Sequence, residues 1–147
     1  MVCPNKLLSY SARLYRISKA HPAANSLQRE AELATQKAIE IRSRPEYVAW
    51  TVIKDGCSFF KSNGRCPPKG RLTQMYNRYG SWTLVHKRII EKGFGGKNFL
   101  WLRDQNKLEL TSEWFIARHA PELVNAETRA ALNALLAPPA NSKSLAA

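Results

Sequence analysis

The side chains best suited to metal or covalent chemistry are three cysteines, three histidines and the tyrosines Tyr76 and Tyr79. A zinc site takes its ligands in closely spaced pairs such as CxxC or HxxxH. Cys57 and Cys66 have eight residues between them, and their candidate co-ligands, His86 and His119, are scattered. That spacing predicts no metal centre, and such thiols behave as small hydrophobes. An odd number of cysteines without a regular pattern argues against a disulfide framework and for a reducing compartment. Tyr76 and Tyr79, near Arg71 and Arg78, imitate a tyrosine strand-transfer site, but aromatics at helical spacing belong more often to a core. A metal-dependent nuclease needs carboxylates to hold its ions, and residues 57–103 contain one acid, Glu91. The run GFGGK at 93–97 lacks the GxxxxGK[ST] spacing of a phosphate cradle and leads, on this reading, into a strand. Its glycines are read as relaxing a corner. No enzyme activity, metal or cofactor is expected.

What that region does carry is uncompensated charge. The chain has a net charge of +12, and residues 57–103 hold ten Lys/Arg against that single acid, a balance of +9. Residues 1–56 contribute +4 and residues 104–147 contribute −1. A solvated face normally mixes both signs, whereas a segment almost free of acids suits a polyanion, because each neutralised phosphate releases condensed counterions. Hydrophobic residues make up 44% of the chain, so a folded protein is expected rather than a basic tail. No apolar run reaches a signal peptide's core or the roughly 18 residues of a membrane span. A soluble, cytoplasmic protein is expected, nucleoid-associated if the source is bacterial.

The elements that must position these charges read as mainly α. Residues 5–19 form a helix with an apolar stripe at Leu7, Tyr10, Leu14 and Ile17, closed by His21-Pro22. A second helix starts at Asn25 or Ser26 and lines one face with Leu27, Ala31, Ala34, Ala38 and Ile41. A third runs from Pro45 to Asn63-Gly64 with its seam at Trp50, Ile53, Cys57 and Phe60, and Asp55-Gly56 is a place to kink it. After the stiff RCPPKG linker comes Arg71–Tyr79, with Leu72, Met75, Tyr76 and Tyr79 inward. Gly80 supplies a turn and Ser81 an N-cap. In the next helix Trp82, Val85, Ile89 and Ile90 face the core, leaving Thr83, His86, Lys87 and Arg88 outward. Phe99–Arg103 reads as an aromatic strand, Asp104–Lys107 as a turn and Leu108–Thr111 as the returning strand of a small β-hairpin. Ser112 caps a helix over Glu113–His119, Asn125 caps a last one carrying Leu132, Leu135 and Leu136, and 138–147 reads as a disordered tail. Residues 1–137 are expected to form one α-rich domain, with N-terminal helices over 5–64 and the helix-turn-helix plus hairpin over 69–120.

A helix, a glycine turn and a capped basic helix follow in the order of a helix-turn-helix, and the hairpin would be its wing. The run YNRYGSWTLVHKRIIEKGF also resembles the small repeat found beside some homing nucleases, through Tyr79-Gly80-Ser81-Trp82 and Gly93-Phe94. In that family the repeat is a helix-turn-helix DNA-binding module, which is what the resemblance implies for residues 76–94. Nothing resembles the family's nuclease domain, so no cleavage chemistry is implied. The hairpin departs from the repeat and points to a winged-helix arrangement.

A duplex-DNA regulator or accessory factor is therefore expected. Thr83, His86 and Lys87 would read base edges, and Lys69, Arg71, Arg78, Arg88, Lys97, Arg103 and Lys107 would hold phosphates, the wing supplying the last three. One alternative is an RNA or single-strand binder that stacks bases on Tyr76, Tyr79, Trp82, Phe94, Phe99 and Trp101. The other is a non-catalytic adaptor whose basic face docks on an acidic protein. A homodimer through the alanine-rich N-terminal helix is a further expectation.

Overall fold

Helix follows helix along the chain. The structure, a computed structural model, describes residues 3–20 and 25–138. Among the described residues there are eight α-helices, two short 3-10 turns and no strand. The chain divides into two compact units, Met1–Tyr47 and Val48–Ala147.

In the first unit α1 (Pro4–Ala20) and α2 (Asn25–Ser43) form an antiparallel hairpin, with Asn5 opposite Arg42 and Ser11 opposite Ala31. Ala31, Ala34, Ala38 and Ile41 of α2 are buried, on the face that their spacing predicts. The matching stripe on α1 is turned by one position: Ser11 and Leu14 are buried, while Tyr10 and Ile17 are 44% and 42% exposed. The alanines explain the rotation. Two helices meeting across methyl groups come close, and a serine fits that gap where a tyrosine ring does not. The Ser11 hydroxyl donates to the Ala31 carbonyl at 2.8 Å and lies 2.7 Å from Thr35 Oγ1. Tyr10 stands at the edge and donates to the Glu30 carboxylate. The alanine stripe is thus used within the hairpin.

In the second unit α3 (Pro45–Ser62) runs unbroken through Asp55-Gly56. Its buried seam is Ala49, Val52, Gly56 and Phe60, again turned from the predicted one; Trp50, Ile53 and Cys57 are half-buried. Gly56 packs against the Leu110 backbone, and a Cβ there would sit 3.5 Å from the Leu110 carbonyl oxygen, in ordinary contact. α4 (Lys69–Tyr79) and α5 (Trp82–Lys92) follow, then α6 (Lys97–Asp104), a 3-10 turn at Leu108–Leu110, α7 (Ser112–His119), a second turn at Pro121–Leu123, and α8 (Ala126–Leu136). Asn125 caps α8 as its sequence predicts, its Oδ1 accepting the Thr128 N–H at 2.7 Å. His21-Pro22 and the tail from residue 139 lie outside the described residues.

The expected β-hairpin is absent, and with it the wing: Phe99–Arg103 belongs to α6 and Leu108–Leu110 to the 3-10 turn. The run FLWLR is apolar at four consecutive positions, so periods of 2 and 3.6 cannot be separated over so short a stretch. Packing decides for the helix. Phe99 and Leu102, three residues apart, are buried, and Trp101 packs on Phe59 and Phe60 with ring centroids 5.5 and 4.9 Å away. Asn106, at φ 55°, takes the left-handed conformation that ends the helix, and Lys107 N–H donates to the Leu102 carbonyl at 2.8 Å. The glycine corner therefore opens a helix and not a strand. Thr111, not Ser112, caps α7, its Oγ1 accepting the Trp114 N–H at 3.1 Å.

α5 lies at the centre of this unit. Its Ile90 joins Val52, Phe115, Ile116 and Leu132 in one core cluster, its Val85 joins Leu72 and Met75 in another, and Trp82 packs on both. The first turn of α7 carries a buried acid. Glu113 is 6% exposed, and its carboxylate accepts the Gly95 N–H at 3.2 Å. Burial pushes its pKa up, more than this bond and the one from its own N–H pull it down. A carboxyl whose folded pKa is raised binds more protons folded than unfolded, so its contribution to stability falls as pH rises from its unfolded pKa through its folded one. Glu113→Gln, which keeps an acceptor for Gly95, should therefore gain stability relative to the parent at pH 7 and gain little or nothing at pH 4. Urea unfolding at the two pH values checks this, and an equal effect at both would show that Glu113 is not strained by its charge.

Candidate nucleic-acid interface

The helix pair expected between Lys69 and Lys92 is present, with both of its turn signals in use. Gly80, at φ 71°, ends α4 and donates its N–H to the Tyr76 carbonyl at 2.7 Å. A residue with a Cβ is strained in that conformation. Ser81 caps α5, its Oγ accepting the Leu84 N–H at 3.4 Å.

The face that α5 presents differs from the expected one. His86, expected to read bases, is fully buried. Its Nε2 lies 3.0 Å from the Ala49 carbonyl oxygen and its Nδ1 lies 2.7 Å from Ser112 Oγ. A carbonyl oxygen only accepts, so Nε2 carries a proton; in the neutral ring Nδ1 then accepts from the Ser112 hydroxyl. The ring also packs on Phe115, centroids 4.5 Å apart. His86 joins α3, α5 and α7 and is not on the outward face of α5. The physical reason is that a central helix buries more than the narrow stripe of a surface helix. Thr83 is half-buried.

The outward stripe is Leu84, Lys87, Arg88 and Glu91, spaced by three and four. Leu84, 38% exposed, was not among the expected contacts, although its spacing from Lys87 and Arg88 could have found it. Glu91 sits between two cations, 3.7 Å from Lys87 Nζ and 3.5 Å from Arg88 Nη1. At more than a third exposed these pairs are worth at most about 1 kcal/mol, so a polyanion can compete for both. Arg88 Nε is buried without a hydrogen-bond acceptor among the described residues, so the guanidinium reaches outward through its terminal nitrogens.

The other expected phosphate holders fall into separate groups. Lys69, Arg71, Arg78, Lys97 and Arg103 are exposed. Arg103 lies 3.8 Å from Asp104, and Lys107 lies 3.8 Å from Glu109 while its ammonium stands 5.7 Å from the centre of the Phe59 ring. Arg65, not expected as a contact, covers Trp101 at 4.4 Å. Of the aromatics proposed for stacking, Phe99 is buried, Tyr76 and Trp82 stack on each other at 4.4 Å, and Trp101 lies under Arg65. Phe94 is 39% exposed. Among the described residues no three His, Cys, Asp or Glu side chains group to hold a metal, and no helix is long and apolar enough to cross a membrane.

The same unit holds a pocket of about 610 Å³, open to solvent on one side and walled by α3, α4, α5, α6 and the start of α7. Arg71, Lys92 and Lys97 stand at its edge.

Comparison with protein-family models, with curated proteins and with solved structures finds no match to this chain.

The burial of His86 has a measurable consequence. His86→Ala removes a ring packed on Phe115 and orphans its Ser112 partner, and should lower the unfolding free energy by about 3 kcal/mol. At temperatures where the variant is still folded, its affinity for duplex DNA should equal the parent's. Urea denaturation and a binding titration at low temperature check the pair; near-full stability with lost binding would restore the ring to the surface.

Proposed function

We propose that the Val48–Ala147 unit binds duplex DNA chiefly through phosphates, as a non-catalytic regulator or accessory factor. The observation that carries the reading is the segregation of charge: ten cations against Glu91 over residues 57–103, with Lys69, Arg71, Arg78, Lys97 and Arg103 exposed. Each phosphate they neutralise releases counterions, which needs neither a hairpin nor a catalytic group. The α4–α5 pair supplies a docking element whose outward stripe offers Lys87 and Arg88 to backbone or base edges and Leu84 to an apolar contact such as a thymine methyl. The mutual stacking of Tyr76 and Trp82 and the cover of Arg65 over Trp101 favour this reading over one in which unpaired bases stack on those rings.

Titration with duplex DNA, single strands and structured RNA across a salt series tests it. Duplex should bind best, and its affinity should fall steeply with salt. The double variant Lys87→Ala/Arg88→Ala should lower affinity by roughly 10- to 100-fold and flatten the salt slope by about 1–2, while Lys37→Ala on α2 changes neither. Preference for single strands would favour base stacking, and undetectable binding to all three would favour an acidic protein partner. Glu91→Gln gives a test of opposite sign. Removing the one acid from the stripe should tighten duplex binding by about two- to fivefold and steepen the salt slope. Weaker binding would mean that Glu91 holds the two cations in their working positions.

A further inference from the structure

We propose that the cavity of the Val48–Ala147 unit binds an amphipathic monoanion with an unbranched alkyl chain, of the fatty-carboxylate class. Val52, Phe60, Met75, Phe99 and Leu102 give its wall five buried apolar side chains. The buried polar side chains of that wall already have partners. His86 is held by Ser112 and Ala49, the Thr111 hydroxyl donates to Leu108 and accepts from Trp114, and Glu113 accepts from Gly95. A buried water needs two to four polar partners, and this wall has few to spare. An alkyl chain needs none and gains from leaving water.

The mouth is of opposite character. Arg71, Lys92 and Lys97 are exposed lining residues, and none of the three forms an ion pair among the described residues. The N-terminus of α6 lies beside them, and Gly96 offers it no side-chain cap. Unpaired cations above an apolar pocket select a molecule with an anionic head and an apolar tail. A volume of about 610 Å³ falls within the roughly 300–1,000 Å³ usual for small-ligand sites. Glu113 shares the wall, and its ionised form opposes an anion; one negative charge on the ligand is therefore favoured over several.

Calorimetric titration of the full chain with sodium dodecanoate, below its micelle concentration and without nucleic acid, tests the site independently of any DNA binding. Saturable one-to-one binding is expected, with butanoate at least about 30-fold weaker because it buries fewer methylenes. Dodecyltrimethylammonium, with the opposite head charge, should not bind saturably. Arg71→Glu/Lys97→Glu, at exposed positions, should weaken dodecanoate roughly tenfold or more, and Glu113→Gln should tighten it. Cys57 lines the cavity and Cys66 is exposed, which gives a readout on the unaltered protein. Dodecanoate should slow N-ethylmaleimide alkylation of Cys57 on the order of fivefold or more while Cys66 reacts as before. Equal affinity for butanoate and dodecanoate, an unprotected Cys57, or no saturable binding at all would overturn the proposal.

Discussion

The second unit depends on the hydrogen bonds that His86 makes at both ring nitrogens. The Ala49 carbonyl belongs to α3, Ser112 begins α7, and the ring itself rides on α5. A buried imidazole with either nitrogen unmatched would cost a few kcal/mol, so the three helices are held in one arrangement in which both are satisfied. That arrangement places Val85 and Ile90 of α5 in two core clusters. It also leaves the same helix one narrow outward stripe. The binding surface inferred here is what remains of α5 after the core has taken its share.

Charge and burial are kept apart along this chain. The cations of residues 57–103 stand at the surface or lie half-buried, while the acid that is buried, Glu113, belongs to the near-neutral C-terminal third. Glu91 on the outward stripe is the exception, and at 3.5–3.7 Å from Arg88 and Lys87 it tempers two cations without removing them. Arg65 and Lys107 serve a second purpose, lying over Trp101 and Phe59. A guanidinium over an indole contributes to packing whether or not a phosphate approaches. Neutralising such a residue would therefore alter stability together with binding, unlike a change at Lys87.

Much of the helical framework was legible in residue types. Gly80 and Ser81 between α4 and α5, the Asn63-Gly64 stop, and Asn125 before α8 act locally, through backbone conformation or one short side chain, and so were readable without knowing what packs where. The alanine face of α2 was readable too, because Leu27, Ala31, Ala34, Ala38 and Ile41 recur at one period over about four turns. The failures share a cause. Phe99–Arg103, within α6, reads as a strand because four adjacent apolar residues carry no period, and the buried faces of α1 and α3 are each turned by about one residue from the predicted ones. A helix offers neighbouring stripes only about 100° apart, and which is buried depends on the size of the partner side chains: Ala31 admits Ser11.

By itself, then, the sequence determined that the chain is mainly helical, where most helices begin and end, and that its positive charge is concentrated between Cys57 and Arg103. Those properties follow from local backbone chemistry and from counting. Tertiary structure alone decided that His86 is a core residue, that Leu84 and Glu91 share the outward face with Lys87 and Arg88, that no wing exists, and that Arg71, Lys92 and Lys97 meet around a cavity. Each of these depends on which surfaces of separate helices come into contact. That contact is set by side-chain volume and hydrogen-bond matching between residues as far apart as Ala49 and Ser112, which no local pattern records.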